Sequence, residues 1–334
     1  MKSPIQIRNL AAAAATAALL LGSMTALSEA AQAEWRGWNI HVPDYPVSLG
    51  MDQFTAEIAD KTGGRLTGKT YHSGVLGSQP DAIEQMRLGS IDYAVFNLGP
   101  MGQVIPATNV VSLPFIFKSM DHMHRVLDGP VGKQLSDAMA EKGIVALAWY
   151  DSGARSFYNS KKPIMTPDDV KGMKVRVMNN DLFVNMIDSM GGNATPMAFS
   201  EVYTSIKTGV VDGAENNWPS YESTAHYEVA GYYSGSEHLI IPECFCVSTA
   251  LWNGLSAEDK EIVASAARDS AVLQRELWAK RSDASRDKVI AAGVKYNEIT
   301  DKAPFQAAMK PVYDKFIAAN PDLEGLVKAI QAVD

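Results

Sequence analysis

Short apolar runs alternate with helical stretches through most of this 334-residue chain. That alternation restricts it to an α/β architecture built on buried strands. The clearest run is Ile-Val-Ala-Leu-Ala-Trp-Tyr at 144–150, which no polar residue interrupts and which suits a strand covered on both faces. Residues 35–41, 66–72, 91–97, 173–178 and 210–216 read as further strands. Helices are expected over 48–62, 80–88, 181–190 and 200–208, stopped by Gly63-Gly64, Gly89, Gly191-Gly192 and Gly209. Ser119 suits the N-cap of a helix carrying Met123, Val126 and Leu127. From Ser256 onward the pattern is helical over 256–292 and 304–333, interrupted at 294–299. The length exceeds one small core and suggests two domains, with a crossing near Asp151-Ser152-Gly153.

One internal echo points to where a ligand would sit. Leu88-Gly89-Ser90-Ile91-Asp92 leads into a strand ending at Asn97, and Thr208-Gly209-Val210-Val211-Asp212 leads into one ending at Asn216-Asn217. Helix–Gly–strand units are common, so the echo alone is weak. In open α/β sheets, however, ligands bind beyond the carboxyl ends of the strands. Two such ends, one per domain, suggest two lobes facing a shared cleft.

Residues 1–33 obey a different rule. Lys2 and Arg8 give a positive start, residues 10–21 form a 12-residue run without charge, and Ala31-Gln32-Ala33 precedes Glu34. This is the three-part pattern of a cleavable secretory signal peptide, and the run is well short of the ~20 residues a membrane span needs. Export is expected. Removal of residues 1–33 would leave 28 basic against 37 acidic residues, a net charge of −9 where the full chain has −8. That balance argues against a nucleic-acid partner, which needs a basic patch. Cys244 and Cys246 are two apart in a strand-like segment, about 6.6 Å between Cα atoms and near the upper limit for a bridge. Two buried thiols are the favoured reading.

Enzyme signatures are missing from the sequence: no G-x-S-x-G, G-x-G-x-x-G, P-loop or H-E-x-x-H occurs. His122 and His124 would lie on different faces of a helix and make poor metal partners. No catalytic residue, metal or cofactor is assigned. The informative residues are arginines. Arg176 sits in Met173-Lys-Val-Arg-Val-Met178, where Val175 and Val177 face one side and Lys174 and Arg176 the other. A guanidinium on a covered strand is costly unless it meets an anion. That anion is either an internal carboxylate or a ligand carboxylate, which Arg's planar fork can grip in bidentate fashion. Arg155, just past the crossing, poses the same choice. Asp212-Gly-Ala-Glu-Asn-Asn-Trp-Pro219 gathers acid, amide and aromatic groups at a strand end, suited either to sugar hydroxyls or to a plain turn.

Taken in order, Gly153-Ala-Arg155-Ser-Phe, Pro163-Ile…Pro167-Asp-Asp…Gly172-Met-Lys-Val-Arg176-Val and Gly209-Val-Val-Asp-Gly213-Ala-Glu-Asn216 resemble the solute-binding proteins of tripartite ATP-independent periplasmic (TRAP) transporters, the DctP type. The resemblance spans essentially the whole chain after residue 33. It implies a two-lobed periplasmic binding protein fold with interdomain strand crossings and a long bridging helix, here around 256–285. It also implies capture of an organic acid for a membrane permease driven by an ion gradient. Residue by residue, it makes Arg176 the carboxylate clamp and places Arg155 and Asn216 in the same cleft. Lobe I is expected over 34–152 plus 242–281, and lobe II over 153–241 plus 282–334.

Within that family the chain looks closest to a uronate-type group, through His41-Val-Pro-Asp44-Tyr45-Pro46, Tyr71-His-Ser-Gly-Val-Leu-Gly77, His122-Met-His-Arg-Val-Leu-Asp-Gly129 and Glu215-Asn-Asn-Trp-Pro-Ser-Tyr221. It departs from the group at Val42-Pro43, which shifts a proline, and at Ser78-Gln79, where the group commonly has acidic residues. The expected ligand is a hexuronate such as glucuronate or galacturonate, gripped by Arg176 and Arg155. Asn216, Asn97 and Gln79 would bind its hydroxyls, and Trp218 or Phe183 would supply an apolar wall. His41, Glu243 and His238 are further candidates. A smaller acid (a C4-dicarboxylate or 2-oxo acid) is the same-class alternative, and an exported sugar-acid enzyme the different-class one. A monomer is expected.

Overall fold

The computed structural model describes residues 34–334; the expected signal peptide, 1–33, lies outside the described residues. Eleven strands occur among the described residues: β1 (Trp35–Trp38), β2 (Gly68–Tyr71), β3 (Tyr93–Asn97), β4 (Ile144–Tyr150), β5 (Ala154–Asn159), β6 (Lys174–Val177), β7 (Asn193–Pro196), β8 (Gly213–Asn216), β9 (Tyr232–Ile240), β10 (Glu243–Ser248) and β11 (Lys295–Glu298). They form two sheets, ordered β2-β1-β3-β10-β4 and β11-β9-β5-β8-β6-β7. In the first, β1 pairs parallel with β2 and β3, while β10 runs antiparallel between β3 and β4. In the second, β6 pairs parallel with β7 and β8, and β5 is antiparallel to β8 and β9. Each sheet organises one α/β lobe.

The chain passes between the sheets twice in the strand region. Asp151-Ser152-Gly153 links β4 to β5, and Ile241-Pro242 links β9 to β10. Gly153 has φ +63°, and a Cβ there would lie 2.8 Å from Nε1 of Trp278, so both the backbone conformation and the space demand glycine. The long helix Ala257–Ala291 lies over this crossing. Gln274 Nε2 donates to the Asp151 carbonyl and its Oε1 accepts from the Asp151 N–H, at 2.8 and 2.9 Å. Tyr150 donates to Ser270. Seven of the helix's ten buried positions (Val263, Ala267, Ser270, Gln274, Trp278, Ser285, Val289) recur three, four or seven apart, one stripe of an α-helix, which Ala266 and Ala271 widen with small residues. Ser256 caps it, accepting from Asp259 N–H.

Several expected elements shift for physical reasons. The strand expected from 210 begins only at Gly213, because Val210 is exposed and Val211 N–H bonds back to Ser205. β5, β7, β9 and β11 answer to no expected strand; Asn-Ala-Thr-Pro in β7 is too short and polar to signal one, and β9 mixes Ser, Gly, Glu and His among its apolar residues. The 304–333 pattern is three helices, Ala303–Ala308, Lys310–Ala319 and Glu324–Gln331, because Pro304, Pro311 and Pro321 each restart the chain in a first turn. The last of these does not side with the second sheet. His122 Nε2 meets the Ile330 carbonyl at 3.2 Å, and just past the helix Lys118 Nζ donates to the Val333 carbonyl and Arg125 Nε to the Asp334 carbonyl, all from the segment that precedes β4. Cys244 and Cys246 are joined in a disulfide, against the reading of two thiols. Their Cα atoms lie 5.7 Å apart, inside the usual range for a bridge, where β10 shifts register against β4 between Phe245 and Cys246.

Candidate ligand-binding cleft

β3 and β8 end on asparagines, and each end is fixed by the same local chemistry. Asn97 accepts from Gly99 N–H and so caps the short helix Leu98–Met101. Asn217, one residue beyond Asn216, accepts from Ser220 N–H and caps Trp218–Ser223. Between the two ends lies a cavity of about 570 Å³, counting the open space at its mouth. His41, Gln79, Asn97 and Glu243 line it from the first-sheet side, and Arg155, Arg176 and Asn216 from the second.

Arg176 is 3% exposed. Its Nε and Nη2 donate to the Met197 carbonyl at 3.1 and 2.8 Å, and its guanidinium lies 5.9 Å from the Phe199 ring centroid. No carboxylate among the described residues pairs with it. Burial therefore lowers its pKa to about 10, although Tyr158 and Glu215 pull the other way. It remains a cation at neutral pH, buried and uncompensated beside a cavity.

Arg155 is equally buried but fully answered. Nε donates to Glu215 Oε2 at 2.6 Å, Nη2 to Glu215 Oε1 and to the Glu215 carbonyl at 2.8 Å each, and Nη1 to Asn216 Oδ1 at 2.7 Å. Burial alone would lower its pKa; the Glu215 carboxylate outweighs that and raises it. Arg155 lines the cavity as half of an ion pair rather than as the second free cation expected from the sequence. Asn216 Oδ1 is taken by Arg155 and by Asn217 N–H, which leaves Asn216 Nδ2 without a partner among the described residues.

The opposite wall accepts hydrogen bonds more than it attracts anions. Glu243 is 3% exposed, with Asn97 Nδ2 at 3.4 Å and His41 Nε2 at 3.6 Å from its Oε1. His41 Nε2 is buried with no hydrogen-bond partner, which is costly unless something in the cavity meets it. Gln79 Nε2 donates to the Asn97 carbonyl at 2.7 Å, and its Oε1 accepts from Asn97 N–H. A carboxylate could accept that N–H but could not donate to the carbonyl, so this backbone clip requires an amide. The departure at Gln79 thus fixes the strand end as well as facing the cleft.

Three expected site residues lie elsewhere. Trp218 stacks on Tyr233 at 3.5 Å between centroids, in the second lobe's aromatic core. Phe183 is fully buried beneath Gly99, where an added Cβ would lie 3.0 Å from its ring. His238 stacks on Phe157 and bonds Ser236 through Nδ1; burial, and then Arg155, hold its pKa near 3, so it is a neutral core histidine. The apolar wall comes instead from Phe199, Met178 and Met197, with Ser220 among the polar lining. Phe199 follows the unread β7, so its position had no sequence signal; Met178 closes the Arg176 strand and could have been found.

The described structure is a two-lobed α/β binding protein closed around a cavity that holds a buried cation. The profile of the bacterial extracellular solute-binding protein family 7 (DctP) matches residues 39–320, and the chain belongs to that family. A solute-binding protein of Chromohalobacter salexigens is 58% identical over 318 residues, covering 94% of this chain and 95% of that one. Among solved structures, a TRAP periplasmic solute-binding protein from Sulfitobacter sp. NAS-14.1 with bound β-D-galacturonate is 64% identical, with TM-score 0.89, covering 89% of this chain and 99% of that chain. One from Roseobacter denitrificans with bound β-D-glucuronate is 63% identical, with TM-score 0.89, covering 90% and 100%.

Proposed function

We propose that this chain is the solute-capture component of a TRAP transporter, binding a hexuronate such as D-glucuronate or D-galacturonate and handing it unchanged to the membrane permease. The observation that carries this reading is Arg176, a buried cavity-lining cation without a carboxylate of its own. A ligand carboxylate supplies the missing charge in bidentate form. At the other end, Glu243 accepts from hydroxyls, while His41 Nε2 and Asn216 Nδ2 wait for hydroxyl partners. The bound uronates of the two neighbouring structures support the same ligand class.

A dicarboxylate fits less well. Its second carboxylate needs a second free cation, Arg155 is already neutralised by Glu215, and Glu243 would repel it. In this reading residues 1–33 are removed on export and the protein works in the periplasm. One lobe comprises 34–152 and 242–281 together with the final helix Glu324–Gln331, the other the chain around the second sheet.

Calorimetric titration of the purified protein with D-glucuronate, D-galacturonate, galactarate and succinate tests the reading, with a turnover assay on the same samples. Tight, epimer-sensitive uronate binding without product is expected. A saturating uronate at a thousandfold excess over Kd should stabilise the fold by ~4 kcal/mol. Binding of succinate but neither uronate, or release of a product, overturns it.

A further inference from the structure

Two of the uronate-like segments, His41-Val-Pro-Asp44-Tyr45-Pro46 and Glu215-Asn-Asn-Trp-Pro-Ser-Tyr221, lie far apart in sequence but touch in the structure, and they do so through one side chain. Tyr45 is fully buried. Its ring lies flat on the His41 imidazole, 3.9 Å between centroids and 4° between planes, with the edge of Trp278 at 5.7 Å. Its hydroxyl is 2.9 Å from Ser220 Oγ and donates to Asn217 Oδ1 at 3.4 Å. We propose that Tyr45 is a positioning residue for ligand binding, tying the ligand-facing imidazole of His41 to closure of the two lobes. This rests on the uronate reading above.

The two ends of Tyr45 obey different constraints. The stack on His41 is internal to one short segment, and that segment is tied to itself. Tyr45 N–H bonds the Val42 carbonyl, Ser48 Oγ donates to the same carbonyl, Asn39 Nδ2 donates to Ser48 Oγ and Asn39 Oδ1 accepts from His41 N–H. Pro43 and Pro46 restrict the backbone on either side. The ring therefore stays on His41 whether the lobes are together or apart. The hydroxyl bonds, by contrast, run to the cap and first turn of Trp218–Ser223, which follows β8 in the other sheet. They exist only when the lobes meet.

His41 and Ser220 both line the cavity, so Tyr45 touches a lining residue from each side. A ligand hydroxyl that engages the orphaned His41 Nε2 is backed by a ring whose other end is anchored across the cleft. Closure buries the Tyr45 hydroxyl, and an unmet hydroxyl there would be costly. Hydroxyl recognition at His41 and carboxylate recognition at Arg176 are thereby satisfied in the same closed state and not separately. The salt bridge from Asp44 to Arg281, whose Nη2 also bonds Glu222 beside Ser220, reinforces the same junction.

Tyr45→Phe keeps the stack and deletes the cross-lobe bond. With D-glucuronate as probe, we expect about tenfold weaker affinity, carried by faster dissociation in stopped-flow, while the thermal midpoint of the ligand-free protein stays within about 1 °C of wild type. In a Ser220→Ala background the same change should cost clearly less than in wild type, because only the longer bond to Asn217 remains to be lost. Unchanged dissociation in Tyr45→Phe, a ligand-free midpoint that falls as far as the liganded one, or full additivity with Ser220→Ala overturns the proposal. Wild-type protein that binds no uronate fails the parent reading instead, and that control is run first.

Discussion

The Arg155 corner and the Arg176 corner of one cavity show two ways to bury a guanidinium. Both side chains are 3% exposed. One meets Glu215 on two oxygens and its pKa rises despite burial; the other meets a single backbone carbonyl and its pKa falls to about 10. The first corner is complete without ligand, so it contributes to the fold. The second is left short of one negative charge, and that deficit is what a carboxylate ligand fills. It also resolves how a strongly acidic protein holds an anion: only one uncompensated cation is needed where water is excluded.

Removing the charge at each corner should therefore produce opposite failures. Arg155→Met strands Glu215, which has no exposure at all, and breaking a buried pair on one side costs ~3–5 kcal/mol. We expect the largest loss of stability here, read as a lower urea midpoint in ligand-free protein. Arg176→Met should do the reverse, with a ligand-free midpoint equal to or above wild type because a desolvated charge is gone. Its uronate affinity should fall by ~2–5 kcal/mol in calorimetry. If Arg155→Met folds normally, or Arg176→Met binds as wild type, the distinction between the corners is wrong.

Both arginines were visible in the sequence, but the distinction was not. Strand-embedded guanidinium pointed to an anion, and local pattern could not say whose. Glu215 stood next to Asn216 in the segment already singled out, yet its pairing with Arg155 depends on β5 lying antiparallel beside β8, a long-range register no local signal encodes. The alternation of apolar runs and glycine stops did carry most strands, the Ser119 cap and the long helix, because burial and caps are written locally, whereas the helix Val202–Lys207 starts without a cap from Ser200. It failed at β5, β7, β9 and β11, where neighbouring strands rather than propensity make the strand. Trp218, Phe183 and His238 have the chemical character of cleft residues but pack in the core, since aromatic rings fill cores at least as readily as clefts.

A smaller effect tests the wall facing Arg176. Gln79→Glu replaces the donor to the Asn97 carbonyl with a carboxylate oxygen, leaving a buried carbonyl unmet at ~1–3 kcal/mol. Affinity and stability should both fall, unlike either arginine variant, because Asn97 belongs to the strand end and to the cavity at once. An affinity change with no change in urea midpoint would mean Gln79 touches ligand without holding Asn97.

The mildest test needs no substitution, only pH. Burial depresses the Arg176 pKa from the ordinary arginine value to about 10 in the folded, ligand-free protein. Below pH 10 the guanidinium is charged both folded and unfolded, so its burial cost is fully present and constant. Above pH 10 the folded form sheds its proton before the unfolded chain does, and that cost is progressively relieved. A bound carboxylate favours the charged form and raises the pKa again, so binding above pH 10 must take up a proton. Affinity should then be flat from about pH 6 to 9 and decline above 10, by up to about tenfold per pH unit until the pKa of the bound state is reached. Arg155, whose pKa is raised, stays charged throughout and contributes no slope. Calorimetry in buffers of different ionisation heat reads the proton uptake directly. An affinity that varies tenfold between pH 6 and 9, or none lost by pH 11, would place the ligand's charge on some group other than Arg176.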